Sequence, residues 1–468
     1  MSDSKLSRRQ LLGATAAAVL TGAATAGAQQ GQQGHQGMKM PMPAAPKEAA
    51  PPATPPVAGA SMRSVAAGMP GRDYTPVITP NGTTLPFRVV NGVKVFHLVA
   101  EPIEHEFAPG LKATCWGYNG RTIGPTIEAV EGDRVRIYVT NRLPEATSVH
   151  WHGVIVPSGM DGVGGLSQAP ILPGETYKYE YTLRQHGTCM YHSHYDEMTQ
   201  MGLGMMGMFV IHPRQPTHTV DKDFVMLSSE WRIAPGTSRP NPLEMTDFNV
   251  LTFNSKAFPA TAPLVIQRGD RVRIRFGNLS ANDHHPIHVH GYAWKVVATD
   301  GGDIPAAGQW PEATVLVPVG NTRTVEFVAD NPGDWAMHCH MTHHVMNQMG
   351  HRGGNWVGVK PEAVDRAMKG LLPDYMTMGT AGMGEMSDMA NMGGMVGMAH
   401  MGAPPRNSIP MLGGAGPFGT IDMGGMLTVL KVRDRVTGQQ DPGWYAHPKG
   451  TVAEAASDEE LKRDGVIR

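Results

Sequence analysis

The stretch Gly333-Asp334-Trp335-Ala336-Met337-His338-Cys339-His340 decides the fold, because the chain writes it twice. Its other copy is Gly187-Thr188-Cys189-Met190-Tyr191-His192-Ser193-His194. Upstream of each copy stands a second His-X-His pair, in Val149-His150-Trp151-His152-Gly153 and in Ile287-His288-Val289-His290-Gly291. Further upstream again, Glu131-Gly132-Asp133-Arg134-Val135-Arg136-Ile137 parallels Arg268-Gly269-Asp270-Arg271-Val272-Arg273-Ile274. Three motifs recurring in one order mark an internal duplication. Between them run short segments such as Val135-Arg136-Ile137-Tyr138-Val139 and Thr322-Arg323-Thr324-Val325-Glu326-Phe327. These alternate apolar and polar residues and are bounded by Gly, Pro, Asn and Asp, the pattern of sandwich strands. The chain is therefore expected to be all-β, with two homologous β-sandwich domains at about 83–215 and 216–435.

The remaining sequence frames these domains. The export signal is expected at 1–28: Arg8-Arg9 precedes a weakly apolar, Ala-rich run that ends at a small-residue cleavage site, Ala26-Gly27-Ala28. Paired arginines there resemble a twin-arginine signal, so the protein is expected to be periplasmic or secreted. The run is too short and too weakly apolar for a membrane span. Residues 29–82 read as a flexible linker rich in Gln, Gly, Pro, Ala and Met, with folded sequence beginning near Leu85. Within the second domain, 376–401 is a Met-rich insertion in which Met383, Met386, Met389, Met392, Met395, Met398 and Met401 recur every third residue. That spacing spirals around a helix, and the interspersed glycines disfavour one, so an exposed loop of thioethers is expected. The closing strand is placed near Gly424–Val432, and 436–468 is a polar tail. Lys and Arg total 39 against 41 Asp and Glu, which gives no pull toward nucleic acid or an anionic membrane. Three cysteines, Cys115, Cys189 and Cys339, are no disulfide framework, although Cys115 and Cys189 could pair after export.

On a strand, residues i and i+2 point to one face about 6–7 Å apart, so each His-X-His pair aims two imidazoles at one place. Imidazole alone does not select a metal. The last motif does. Cys339 lies within its pair, His344 follows it by five residues and Met349 by ten, and His285 sits upstream. Two His, one Cys and a weak axial Met are the ligand set of a blue-copper electron-transfer site. Because alternate residues face opposite ways, His338 and His340 reach away from Cys339, which joins a one-electron acceptor to a multi-histidine cluster.

These segments resemble the signature motifs of multicopper oxidases, which are built from cupredoxin domains with Greek-key topology. The resemblance implies that His285, Cys339, His344 and Met349 bind a type 1 copper. It implies that His150 and His288 bind a type 2 copper, and that His152, His192, His194, His290, His338 and His340 bind a type 3 pair, four copper ions in all. Asp161 matches the acidic group that the family places beside the cluster as a proton relay, whereas Val345 stands where many relatives carry a second acid. In the first domain Ser193 occupies the place of Cys339, and Met198 stands where His344 would by count, so only the second domain can hold a blue site. Met198, Met201, Met205, Met206 and Met208 read as packing residues. Fewer than a hundred residues separate His194 from His285, which leaves no room for a third domain. The two-domain, small-laccase type that this resembles assembles its clusters between neighbouring chains of a homotrimer.

The implied activity is one-electron oxidation of Cu(I), another reduced metal ion or a phenol, coupled to reduction of dioxygen to water. Soft thioethers in the Met-rich insertion favour Cu(I). A periplasmic copper-sequestering protein without turnover is the alternative. A copper nitrite reductase is disfavoured, because that family lacks the eight-His cluster and carries its blue site in the first domain.

Overall fold

The computed structural model of the chain describes residues 66–234, 236–246, 248–346, 407, 409 and 413–466, and they form mostly strands. In the first half, Val93–Ala108 runs parallel to Arg134–Asn141. Phe87–Val90, Leu111–Tyr118 and Thr176–Thr182 join this pair antiparallel. The strand Arg134–Asn141 shows why it lies in a sandwich wall: Val135, Ile137 and Val139 are buried while Arg134 is exposed, the period-two signature of a sheet with one face on the core. The facing sheet orders Ile127–Val130, Met206–His212, Gly187–Ser193 and Val149–His150 side by side.

The second half repeats the centre of this arrangement and adds strands at its edges. Lys222–Trp231 is parallel to Arg271–Asn278, followed by Thr322–Val328 and Trp294–Thr299. The facing sheet orders Leu264–Gln267, Leu427–Arg433, Gly333–Cys339 and His285–Val289, and adds Thr314–Val317 at its edge. The first histidine of every pair thus sits on one sheet of its half, on neighbouring antiparallel strands, with the second just past the strand end. His150 lies opposite His192 and His288 opposite His338 in register. The closing strand expected near Gly424–Val432 is Leu427–Arg433.

Each sandwich has its own core, with Phe96, Trp151, Tyr191 and Phe209 in the first and Phe276, Trp294, Met337 and Leu430 in the second. A third core joins them: Met190, Met206, Met208 and Val210 pack against Val225, Leu227, Trp231 and Leu279. Met205, Met206 and Met208 are buried, as packing residues should be, whereas Met198 is 61% exposed.

The linker expected over 29–82 ends earlier than the sequence suggests. From residue 66 onward the chain is a strap across both sandwiches. Gly68 donates its amide to Asp133 (3.0 Å) and Val77 to Glu128 (3.0 Å). Ile78 exchanges main-chain hydrogen bonds with the strand Lys222–Trp231, through Asp223 O (2.7 Å) and Val225 N (2.9 Å). The strap has no hydrophobic period because partners elsewhere, not its own alternation, satisfy its backbone. Cys115 and Cys189 are free and buried, one in the core between the sandwiches and the other in the first sandwich. The tail carries a helix, Asp458–Arg463, started by a capping box of Ser457 and Glu460. The expected export signal, the Met-rich insertion and Met349 lie outside the described residues. Among the described residues no helix is long and apolar enough to cross a membrane.

Candidate metal centres

The strand Gly333–Cys339 delivers the Cys339 thiol into the second sandwich, and the strand His285–Val289 beside it delivers His285. Past the strand end a short 3-10 turn, Thr342–Val345, folds His344 back onto them. All three are buried. Cys339 Sγ is 3.4 Å from His344 Nδ1 and 3.8 Å from His285 Nδ1, and the two nitrogens are 3.1 Å apart. These separations let all three donors reach one ion at first-row bond lengths of about 2 Å. The far nitrogens are engaged elsewhere: His285 Nε2 with Ser280 Oγ at 2.6 Å, and His344 Nε2 with the Asp283 carboxylate at 3.4 Å. Such outer partners fix which nitrogen faces the metal. Burial, and then the neighbouring His344, hold His285 well below the usual histidine range; burial also lowers His344. Burial pushes the Cys339 thiol up to about 12. Behind Asp283, burial and the adjacent carboxylate raise Glu230 to about 8, and its Oε1 accepts the amides of Asn282 (2.7 Å) and Asp283 (3.2 Å). Two neutral imidazoles converging with a thiol fit a thiophilic ion such as copper.

The other histidines form two separate quartets. In the first sandwich His150, His152, His192 and His194 lie with ring centroids 5.3–5.9 Å apart in the close pairs. In the second, His288, His290, His338 and His340 are packed at 4.9–5.7 Å. A carbonyl oxygen fixes the tautomer of most of them, because it can only accept. His150 Nδ1 donates to Asp161 O at 2.8 Å, His192 Nδ1 to Ser193 O at 2.8 Å, and His338 Nδ1 to Cys339 O at 2.9 Å. His288 Nδ1 faces Ala313 O at 2.9 Å. In each of these the Nε2 is left for a metal. His152 is reversed: its Nε2 donates to Gly320 O at 2.8 Å, and its Nδ1 points to His192 Nε2 at 3.3 Å. Burial lowers His152, His290 and His338 and takes His192 down to about 3, so these imidazoles are neutral and ready to ligate.

The Asp161 carboxylate lies 3.5 Å from His150. Its loop depends on Gly162, which has φ +88° and approaches Val149 O so closely that a Cβ would sit 1.7 Å from that oxygen. The sequence did not single out Glu197, whose carboxylate lies 3.5 Å from His192 and 3.8 Å from His194; its place three residues after His194 was the available signal. Nor did it single out Ser280, Asp283 and Gly320, which loops bring in, or Glu230 of the strand Lys222–Trp231.

Within the described residues no ring contact joins one quartet to the other. The cleft over the first quartet is walled instead by Glu197 and Met201 and by Leu279, Ser280, Val319 and Gly320 of the second sandwich.

Comparison with known proteins agrees with this geometry. Two family models, both described as multicopper oxidase, match residues 100–216 and 235–353, together about half of the chain and one to each sandwich. The chain belongs to the multicopper oxidase family. Copper resistance protein A of Pseudomonas syringae pv. tomato is 30% identical over 41% of this chain and 39% of its own length. Laccase-1 of Botryotinia fuckeliana is 32% identical over 41% of this chain and 35% of its own. The chain thus spans about two fifths of the length of the curated relatives it matches. Among solved structures, the multicopper oxidase mgLAC aligns over 77% of this chain and 91% of its own, at 26% identity and a TM-score of 0.52. In this multicopper oxidase Cys339 lies opposite Ile287 in the second sandwich, and Ser193 occupies the matching position of the first, opposite Val149.

Proposed function

We propose that this chain is an exported oxidase that takes single electrons from Cu(I), another reduced metal ion or a phenol, and passes them to dioxygen. The observation that carries the proposal is the shared strand end. The thiol of Cys339 converges with His285 and His344, while His338 and His340, its immediate neighbours, belong to a histidine quartet on the other side. Bound copper would supply one-electron acceptance at Cys339 and four-electron reduction of dioxygen at the histidine cluster. The residues supply the rest. Ser280 and Asp283 hold the two imidazoles in orientation, and burial keeps water from the thiolate. Met349 is proposed as the weak fourth ligand. Asp161 orients His150 through its carbonyl and is proposed to relay protons through its carboxylate.

The two quartets are half-sites, and a second copy of the chain is proposed to complete each. A head-to-tail contact that brings His150, His152, His192 and His194 of one chain to His288, His290, His338 and His340 of the next closes into a ring, here a homotrimer. The exposed Met341 and Leu316 flank the second quartet, and Met198 and Tyr195 flank the first, so both faces carry apolar surface for such a contact. The run of methionines at 376–401 and the name of one relative, copper resistance protein A, favour Cu(I) as the reductant. Export by the twin-arginine route follows from Arg8-Arg9 and the apolar run behind them.

Oxygen uptake by the copper-loaded protein tests the proposal, with Cu(I) and with a phenol, before and after deletion of 376–401. Uptake with a blue thiolate band is expected, with the deletion reducing turnover of Cu(I) more than of phenol. Stoichiometric copper binding without oxygen uptake would establish sequestration instead.

A further inference from the structure

The first sandwich has its own version of the pocket that gathers Cys339, His285 and His344. Thr147 precedes His150 by three residues as His285 precedes His288, and Ser193 lies inside its pair as Cys339 does. Counting along the chain pairs Met198 with His344, but the backbone pairs Gln200 with it. Ser193 N donates to Met205 O (3.1 Å) and Met205 N to Gln200 O (3.0 Å). In the second sandwich Cys339 N donates to Met426 O (3.0 Å) and Met426 N to His344 O (3.0 Å). The equivalence extends to the next residue, with His194 N on Ser148 O (3.3 Å) and His340 N on Pro286 O (2.7 Å). Met198 is exposed, whereas Gln200 is fully buried, as are Thr147 and Ser193.

Where the second sandwich converges metal ligands, the first converges hydrogen bonds. Thr147 Oγ1 and Ser193 Oγ both donate to Gln200 Oε1, at 2.7 and 2.5 Å, and Gln200 Nε2 donates to Ala146 O at 2.8 Å. We infer that Thr147, Ser193 and Gln200 are a metal-free, closed form of the blue-copper pocket, and that Gln200 is a positioning residue for the first histidine quartet. The route is short. Gln200 holds the Ser193 side chain, the Ser193 carbonyl holds His192 Nδ1 at 2.8 Å, and His194 follows directly. Thr147 extends the same hold to the strand that carries His150. An apolar filling of equal volume would leave neither hydroxyl with this acceptor. A fully bonded buried network instead fixes one arrangement of the strands it links.

This inference rests on the copper reading proposed above, and Gln200→Leu tests it in the full-length, copper-loaded protein. A chelator titration follows the blue band, which reports Cys339, separately from non-blue copper, which reports the histidine cluster. Loss of an outer-shell partner typically weakens metal binding by about 10- to 100-fold. Gln200→Leu is therefore expected to release non-blue copper at about that much lower chelator strength, with the blue band unmoved. Gln200→Glu, which keeps an acceptor for both hydroxyls, is expected to restore retention. Unchanged release of non-blue copper from Gln200→Leu would overturn the inference, as would equal losses from the Leu and Glu variants. If Gln200→Leu does not fold, Ser193→Ala carries the same test, and full retention there overturns it. A wild-type protein that binds neither blue nor non-blue copper would instead overturn the copper reading itself.

Discussion

Filling the Cys339 site with metal should release one proton, and the structure fixes that number. The thiol is pushed up to about 12 by burial, so it is protonated throughout the neutral range. Burial depresses His285 and His344, so both are already neutral near pH 7 and surrender nothing. A metal ion must therefore displace the thiol proton alone. Each pH unit then tightens apparent binding tenfold, or about 1.4 kcal/mol. From pH 6 to pH 8 the gain is about 100-fold, or about 2.7 kcal/mol. Affinity rises with pH because the metal-free form holds the proton. Co²⁺ is a suitable probe, because its thiolate charge-transfer band reports Cys339 while Cys115 and Cys189 are sealed in apolar cores. Competition against a chelator of known protonation behaviour gives affinity at each pH. A slope of one per pH unit is expected, continuing below pH 6.5. A flat profile between pH 6 and 8 would mean the thiolate is already formed. A slope steepening toward three below pH 6.5 would mean the imidazoles titrate normally, as if in water. Either result refutes the reasoning.

Three other outcomes follow from the same geometry. Cys339→Ser should abolish the blue band while non-blue copper remains, checked by visible spectrum and metal analysis, since the histidine quartets keep all their ligands. Gly162→Ala should cost more than about 1 kcal/mol of stability in urea unfolding, and should weaken the copper that His150 binds, because the new Cβ meets Val149 O and φ is positive. Lys94→Met should destabilise by about 3–5 kcal/mol in the same assay: Lys94 and Asp133 are fully buried with Nζ 3.0 Å from the carboxylate, and the substitution removes one of the cations facing that charge.

The candidate ligands were legible in the sequence because covalent spacing carries them. His-X-His on a strand fixes two imidazoles on one face whatever the rest of the chain does, and the duplication supplied the domain count. The strap over 66–82 was not legible, since its backbone bonds reach strands far along the chain and leave no local pattern. Gln200 was hidden for a different reason. The loop after Ser193 is two residues longer than the loop after Cys339, so alignment by count fell on Met198, and only the equivalent main-chain bonds revealed the true counterpart. Ser280, Asp283 and Gly320 are single loop residues, unremarkable until folding sets a hydroxyl, a carboxylate and a main-chain carbonyl each against a histidine.

The sequence by itself thus determined the strands, the duplication and the candidate ligands, because period-two alternation and i, i+2 spacing act over a few residues. Tertiary structure alone decided the tautomers and the protonation of those ligands. Both depend on burial and on carbonyl, hydroxyl and carboxylate partners drawn from distant segments, such as Gly320 against His152. It also decided that the two histidine quartets stay apart within one chain. The core of Met190, Met206, Met208, Leu227 and Trp231 locks the sandwiches in an arrangement that sets Val319 and Gly320, rather than the second quartet, over the first.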